Sequence, residues 1–531
     1  MAGPTSLTST LEERTGLRVD ELVRSSPSPD ELDPLPSLLP PEGVVPCRLR
    51  DVVAAARVLV QGKIDVAGVR GGAGPAVVAA LARAGRRVVV VTADADSAHR
   101  AAQDIGFLFR GAVDEDEKTS EAQVLVFATS ESSPYADVSP ERRAAMSRTA
   151  TLFRLAHDLP WRVLVLPAGA LARKVVPRKQ LVKRADRIVA ESEIDRDGLV
   201  RSLSESGYLR VPVVEDPGTF AVRGALLDVW PASCPWPVRV ELYGELVLSL
   251  RPFDPVQQTT RKEGPDLKQL WLPPAREAVL DTETVARARA RVTQLAEAID
   301  FPTIKTRALV DDVANGRVFF GAEGFLPAYY DELDPLLSYV PEDAVIVIED
   351  PPSVTRALRD ERAHAEEGAG SRHGDGPRFP IQAFYETEER VAGELGSRPV
   401  IALHRTAVIG GAEGGLSAFE SAALATDGAA RLDLASADHQ DLTHAVKAAR
   451  SSKGKNVGLY ALVRRVAHWR EHGMRVFLAA RAQTQAERLV TLLRHQGVAC
   501  GARLTPFEPA WLDDERSSAH DVQIVVGPLA R

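Results

Sequence analysis

The chain has 531 residues, 45% of them hydrophobic and 26% charged, and carries a formal net charge of -8. At about 150 residues per domain this length implies three or four domains, and the composition excludes a collagen, a wholly disordered chain and a membrane bundle. The acidic balance speaks against electrostatic nucleic-acid binding by the chain as a whole, which needs a basic face.

Residues 1–45 begin without the basic and apolar regions of a secretory signal. They read as a short helix and a linker broken by Pro27, Pro29, Pro34, Pro36, Pro40 and Pro41. An α/β texture follows over 46–185. VVAAARVLVQG reads as a helix. RRVVVVTAD (86–94), QVLVFA (123–128) and WRVLVLPAGAL (161–171) read as buried parallel strands, with helices at Asp96–Phe109 and Pro140–His157 between them. The texture changes over 186–271. A helix from Asp195 to Ser206, with Asp195 as N-cap and Gly207 as stop, precedes the short strands TFAVRG, ALLDVW, PVRVELYG and LVLSLRPF, which indicate an antiparallel meander. The α/β texture resumes over 272–425, with a helix at Asp281–Ala298, the strand AVIVIED (344–350) and a polar, Gly-rich loop expected at 361–379. A soft stretch, 410–430, sets off a last domain, 430–531, with the helix NVGLYALVRRVAHWREHG, the strand MRVFLAA and the helix Thr484–His495. VQIVV (522–526) reads as a core strand followed only by GPLAR, so the chain is expected to be the front part of a longer protein. No helix of transmembrane length is expected. Cys47, Cys234 and Cys500 form neither a metal-ligand spacing nor a disulfide framework, which fits a reducing cytoplasm.

One motif carries chemistry in outline. A phosphate-binding loop needs G-x-x-x-x-G-K-[ST] between a strand and a helix: backbone amides cradle the phosphates, Lys reaches the outer ones and the hydroxyl ligates magnesium. VAGVRGGAGPAVVAALARAG has Gly68 at the first glycine, and Gly71 and Gly72 keep the loop tight. Ala73 stands at the second glycine, Gly74 at the lysine and Pro75 at the hydroxyl. Both chemical groups are gone. A plain Gly-rich turn and weak binding through bare amides both remain open, and hydrolysis is not expected. Glu349 and Asp350 at the end of a buried strand stand where an acidic magnesium motif would follow, although strand-end carboxylates are commonly just solvated. His364, His373, His439 and His444 read as surface histidines. No serine lies in a nucleophile elbow. Tyr135 alone, or the pair Tyr329 and Tyr330, does not make a stacking ladder for single-stranded bases.

The stretch 207–260, GYLRVPVVEDPGTFAVRGALLDVWPASCPWPVRVELYGELVLSLRPFDPVQQTT, resembles the UvrB-homology module of the bacterial transcription-repair coupling factors. The shared pattern is G-Y-x-R-V, P-G-x-F-x-V-R-G-x-x-L-D-V-x-P, P-V-R-x-E-L and S-x-R-x-F-D-P-x-x-Q. UvrB shares much of it, but the resemblance implies an intact phosphate loop and a Tyr-rich DNA-gripping hairpin in UvrB, and neither is found here. Segments 133–155, 321–351 and the last domain are similar to the same family, so the likeness covers about 50–531.

The resemblance implies a degenerate RecA-like domain split by an inserted, mostly antiparallel α+β module, then a small α/β domain. It implies the UvrA-recruiting front half of a factor that couples transcription to nucleotide excision repair. In such factors RNA polymerase and duplex DNA are bound by later C-terminal parts, and ATP and Mg by the motor domains among them, so this chain is expected to need no cofactor and to be a cytoplasmic monomer. A UvrB-like ATP-dependent helicase subunit and a motorless UvrA-binding adaptor are the alternatives. By strand alternation Arg223, Arg239 and Tyr243 should face solvent, forming one patch if their strands are neighbours. Spacing alone favours a merely solvated sheet face. The resemblance implies that the matching Arg, Arg and aromatic contact UvrA, with Tyr243 where Phe can occur, and that the family's C-terminal domain masks this surface.

Overall fold

The computed structural model describes residues 45–110, 123–129, 133–136, 138, 141–184, 186–261, 266–370, 376–406, 430–434, 436–451, 457–472, 474–507, 509, 522–527 and 529. The expected N-terminal helix and Pro-rich linker, His373 and nearly all of the soft stretch 410–430 lie outside those residues.

Taken in chain order, the first strands and helices are β1 (Val45–Pro46), α1 (Leu49–Val58), β2 (Gly62–Ala67), α2 (Ala73–Arg83), β3 (Val88–Thr92), α3 (Ala95–Arg110), β4 (Val124–Val126), α4 (Arg142–Ala156) and β5 (Val163–Pro167), then the short helices α5 (Gly169–Ala172) and α6 (Arg178–Lys183). The strands are short Val- and Leu-rich runs because both of their faces are covered. On β3, Val89 and Val91 pack into one apolar core while Val88 and Val90 pack into a second across the sheet, and Leu164 and Leu166 alternate with Val163 and Val165 on β5 in the same way.

The inserted module opens with β6 (Asp186–Val189) and α7 (Arg196–Glu205). The α7 N-cap Asp195 accepts a 2.9 Å hydrogen bond from the Gly198 amide, and Gly207 beyond its end has φ +91°. Next come β7 (Leu209–Arg210), β8 (Thr219–Arg223), β9 (Leu226–Val229), β10 (Val238–Tyr243) and β11 (Leu246–Pro252), in sheet order β11-β10-β9-β8-β7. Pairing is antiparallel from β8 to β11, as expected of a meander, whereas β7 runs parallel to β8. Phe220, Leu227, Val229, Val238, Val240 and Leu242 share the face that closes on Leu203 of α7. β12 (Gln269–Leu272) returns antiparallel to β6, so the two ends of the insertion are clasped together.

The chain then adds α8 (Thr282–Glu297), α9 (Thr303–Ala314), β13 (Val345–Glu349), α10 (Pro351–Gly370), α11 (Glu388–Gly396), β14 (Pro399–Leu403) and β15 (Ala430–Asp433). These strands complete a parallel eight-stranded sheet, β1-β15-β2-β14-β13-β3-β5-β4. Two expectations fail here. β15 belongs to the large sheet, which therefore extends beyond residue 430. The expected loop from residue 361 is the second half of α10. Its Ala-, Glu- and Arg-rich sequence favours helix, Ala365 is buried against the core, and Arg362 pairs with Glu366 at 2.9 Å one turn on. The last unit holds α12 (Gln440–Ser451), α13 (Val457–Glu471), β16 (Val476–Ala480), α14 (Gln483–His495), β17 (Cys500–Pro506) and β18 (Val522–Val526), with a three-stranded parallel sheet in the order β16-β18-β17. Phe507 stacks on Phe107 of α3, their centroids 4.5 Å apart, and so joins this unit to the large one.

Candidate functional site

The module's second sheet face carries the polar residues. Alternation puts Ala221 and Arg223 of β8, Asp228 of β9, and Arg239, Glu241 and Tyr243 of β10 opposite the apolar set. The strands of the two arginines are not neighbours: β9 lies between β8 and β10, and Asp228 pairs in register with Ala221 on one side and Arg239 on the other. Asp228 is fully buried and joins the two guanidiniums. Arg239 approaches its carboxylate with two nitrogens, Nε to Oδ1 at 2.8 Å and Nη2 to Oδ2 at 3.0 Å, while Arg223 Nη2 donates to Oδ2 from the other side. The hydrogen bonds that Arg239 donates to Asp228, against the opposing effect of burial, raise the Arg239 pKa above the usual arginine range.

Arg239 is therefore not the freely solvent-facing residue that alternation implied. Its side chain is 14% exposed, compared with 42% for Arg223. The cause is the chain after β11, which folds back over this end of the face. Phe253 is buried, with Arg239 4.6 Å over its ring, and the Gln258 carbonyl accepts from Arg239 Nη1 at 3.3 Å. Asp254 shapes the return by accepting from the Val256 and Gln257 amides, both at 2.8 Å. The F-D-P-x-x-Q pattern noted in the sequence is this cover. Tyr243, at the far end of β10, is 77% exposed, and Leu246 and Leu248 of β11 are exposed nearby in sequence. The structure thus brings Arg223 and Arg239 together through Asp228 and leaves Arg223 and Tyr243 open. Sequence reasoning missed Asp228, although a single carboxylate inside the apolar strand LLDV was a visible signal, since an unpaired buried charge is too costly to keep.

The degenerate loop sits where the motif predicts, between β2 and α2, with Gly68 at φ +66° and Gly71 at φ +54°. The amides of its first three residues are engaged from within. The Gly68 amide donates to the Thr406 carbonyl at 3.4 Å, Val69 to the His404 carbonyl at 2.9 Å, and Arg70 to Ser436 Oγ at 2.7 Å. Ser436 Oγ in turn donates to the Gly68 carbonyl at 2.7 Å. Ala73 follows Gly72, the N-cap, and Gly74 and Pro75 are buried in the first turn of α2, with Gly74 against Leu403 and Val69. Glu349 ends β13, one strand removed from β2. Asp350, with φ +55°, stands just before α10, and its carboxylate accepts from Ser353 Oγ at 2.6 Å. Tyr135, Tyr329 and Tyr330 are all core residues. Among the described residues no group of three His, Cys, Asp or Glu could hold a metal, and no helix is long and apolar enough to cross a membrane.

An eight-stranded parallel sheet interrupted by a clasped antiparallel module defines a UvrB-like multidomain α/β fold, and the family model of the UvrB interaction domain matches residues 187–277. The chain is a relative of the transcription-repair-coupling factors and corresponds to their N-terminal part. It is 33% identical to the transcription-repair-coupling factor of Myxococcus xanthus over 459 residues, 84% of this chain and 36% of that protein. It is 30% identical to that of Escherichia coli K12 over 235 residues, 44% of this chain and 20% of that protein, and 29% identical to that of Mycobacterium bovis over 289 residues, 53% and 22% respectively. The chain thus spans about a third or less of the length of the curated relatives it matches.

Proposed function

We propose that this chain serves in transcription-coupled nucleotide excision repair by recruiting UvrA to an RNA polymerase stalled at a lesion, and that Arg223, Arg239 and Tyr243 are the contact residues. The observation that carries the proposal is the buried Asp228, which holds two guanidiniums on one sheet face within a UvrB interaction domain. Arg and Tyr are favoured interface anchors: a guanidinium fork recognises carboxylates bidentately, and an exposed tyrosine buries much area for little entropy. Because Arg223 and Tyr243 are open, UvrA binding should need neither ATP nor DNA. Arg239, paired with Asp228, contacts UvrA through its small exposed part and also holds the patch in place. RNA polymerase, duplex DNA and an ATP-driven motor belong to the same reading as partners and activity of the full-length relatives.

The test is UvrA capture by the purified chain, quantified by titration. Arg223→Ala and Tyr243→Ala should each weaken binding by on the order of 2 kcal/mol. Arg223→Ala should leave the far-ultraviolet circular dichroism and the melting point near those of the parent. A folded Arg223→Ala, Tyr243→Ala double variant that retains UvrA as well as the parent refutes the assignment.

A further inference from the structure

A second built feature lies away from that face, where the large domain meets the inserted module. A cavity of about 270 Å³ opens between α4, the turn after α7, the segment after β12 and the segment after α9. Most of its wall is apolar, with Phe127, Val175, Leu326 and Phe384 among its lining, yet several cationic side chains also line it. Most of those are neutralised. Arg148 forms a two-pronged pair with Glu277, Nε to Oε1 and Nη2 to Oε2, both at 2.8 Å, and Arg173 pairs with Glu323 at 3.1 Å. Arg317 pairs with Asp311 and Asp312 at 2.9 Å, and Lys174 with Glu332 and Glu386 at 3.3 and 3.4 Å.

Arg142 and Arg276 are different. Arg142 Nη2 reaches only backbone carbonyls, those of Gly218 at 2.6 Å and Gly207 at 3.4 Å. Arg276 makes no hydrogen bond or ion pair among the described residues, and the titratable groups acting on it are the neutral Tyr329 phenol and Arg142, a second cation. Burial first, and each other's company in the case of Arg276, push both guanidiniums below the usual arginine range, with Asp216 partly opposing this for Arg142. The Nη1 of Arg148 is also buried there without a partner. The chain makes specific room for this pair. A side chain at Gly207 (φ +91°) would strike Arg276 Nε at 2.5 Å, one at Gly316 (φ +58°) would strike its Nη1 at 2.2 Å, and one at Gly218 (φ +75°) would meet Arg142 Nη2 at 2.9 Å. Two half-buried cations with no carboxylate hydrogen-bonded to either, lining one largely apolar recess, are a costly arrangement that an anion would relieve.

We propose that this cavity binds a small organic anion, an apolar body bearing one carboxylate or phosphate head, with the head between Arg142 and Arg276. The guanidinium forks supply charge-assisted bonds to the head and the aromatic and aliphatic wall takes the body.

Phenyl phosphate is the probe, with inorganic phosphate and phenol as the two halves of the same chemistry. Isothermal titration of the intact chain should show saturable one-to-one binding of phenyl phosphate, with both inorganic phosphate and phenol weaker by at least ~10-fold. Sodium benzoate, titrated alongside, distinguishes a carboxylate-preferring site from a phosphate-preferring one. Arg276→Met should weaken phenyl phosphate at least ~10-fold and, by removing the repulsion, should raise the melting point of the ligand-free chain. If that variant fails to fold, Ala145→Glu keeps the test open, because it sets a carboxylate on the cavity wall one turn from Arg142 and should both block the probe and raise the melting point. The proposal is overturned if neither phenyl phosphate nor benzoate binds the parent at millimolar concentration, or if either binds the parent and the folded variants equally.

Discussion

At the residue scale the decisive group is Asp228, a carboxylate with no solvent exposure that two arginines share. Removing one member of a buried ion pair strands its partners, so Asp228→Ala should cost about 3–5 kcal/mol of stability. Arg223→Ala, which removes the more exposed partner, should cost less than ~1 kcal/mol. Urea unfolding of the two variants measures both. Alternation along β10 gave the correct face for Arg239 but not its exposure, because the cover comes from Phe253 to Gln258, residues beyond the strand whose path spacing cannot supply. A second buried pair makes a pH prediction. Burial pushes the Glu277 carboxyl upward, but the charge and hydrogen bonds of Arg148 outweigh it and hold Glu277 below the usual carboxylate range. Its contribution to stability is therefore fully present above the unfolded value of about 4.3 and is lost as the pH falls through the folded value. Glu277→Gln should lower stability at neutral pH and flatten the loss of stability between about pH 5 and 3, as read from urea midpoints across that range.

At the element scale, the loop before α2 shows what a degenerate motif can become. Its missing lysine and hydroxyl were legible in the sequence. That the Gly68, Val69 and Arg70 amides would be engaged by segments 404–406 and 436 was not, since those segments lie more than 330 residues downstream. We expect the chain neither to hydrolyse ATP nor to recover binding when the chemistry is put back. Gly74→Lys with Pro75→Ser should leave Mg-ATP binding undetectable by isothermal titration, because the first half of the loop is tied to segments 404–406 and 436 and the new lysine would start against Leu403 and Val69. Saturable binding by that double variant would show the cradle to be open after all. The long helix α10 teaches a related lesson. Its glycines and charges read as a loop, while its i,i+4 pair and the buried Ala365 carry it on as a helix to Gly370.

At the scale of the whole molecule, the α/β texture, the antiparallel insertion and the small last sheet were all legible, because apolar runs and alternation report burial directly. The strand order was not. β2 sits between β14 and β15, and nothing local to β2 names partners so distant in the chain. That placement bears on how the protein is born. Asp65 of β2 and His404 just past β14, which meet at 2.8 Å, are 339 residues apart. On a ribosome adding ~5–20 residues per second, β2 waits roughly 17–70 seconds for its neighbours. Through that interval both of its edges are unsatisfied, while the clasped module, whose strands β6 to β12 arrive together, can already be complete. The nascent chain would thus display the sheet proposed here to bind UvrA before the domain that carries it has closed.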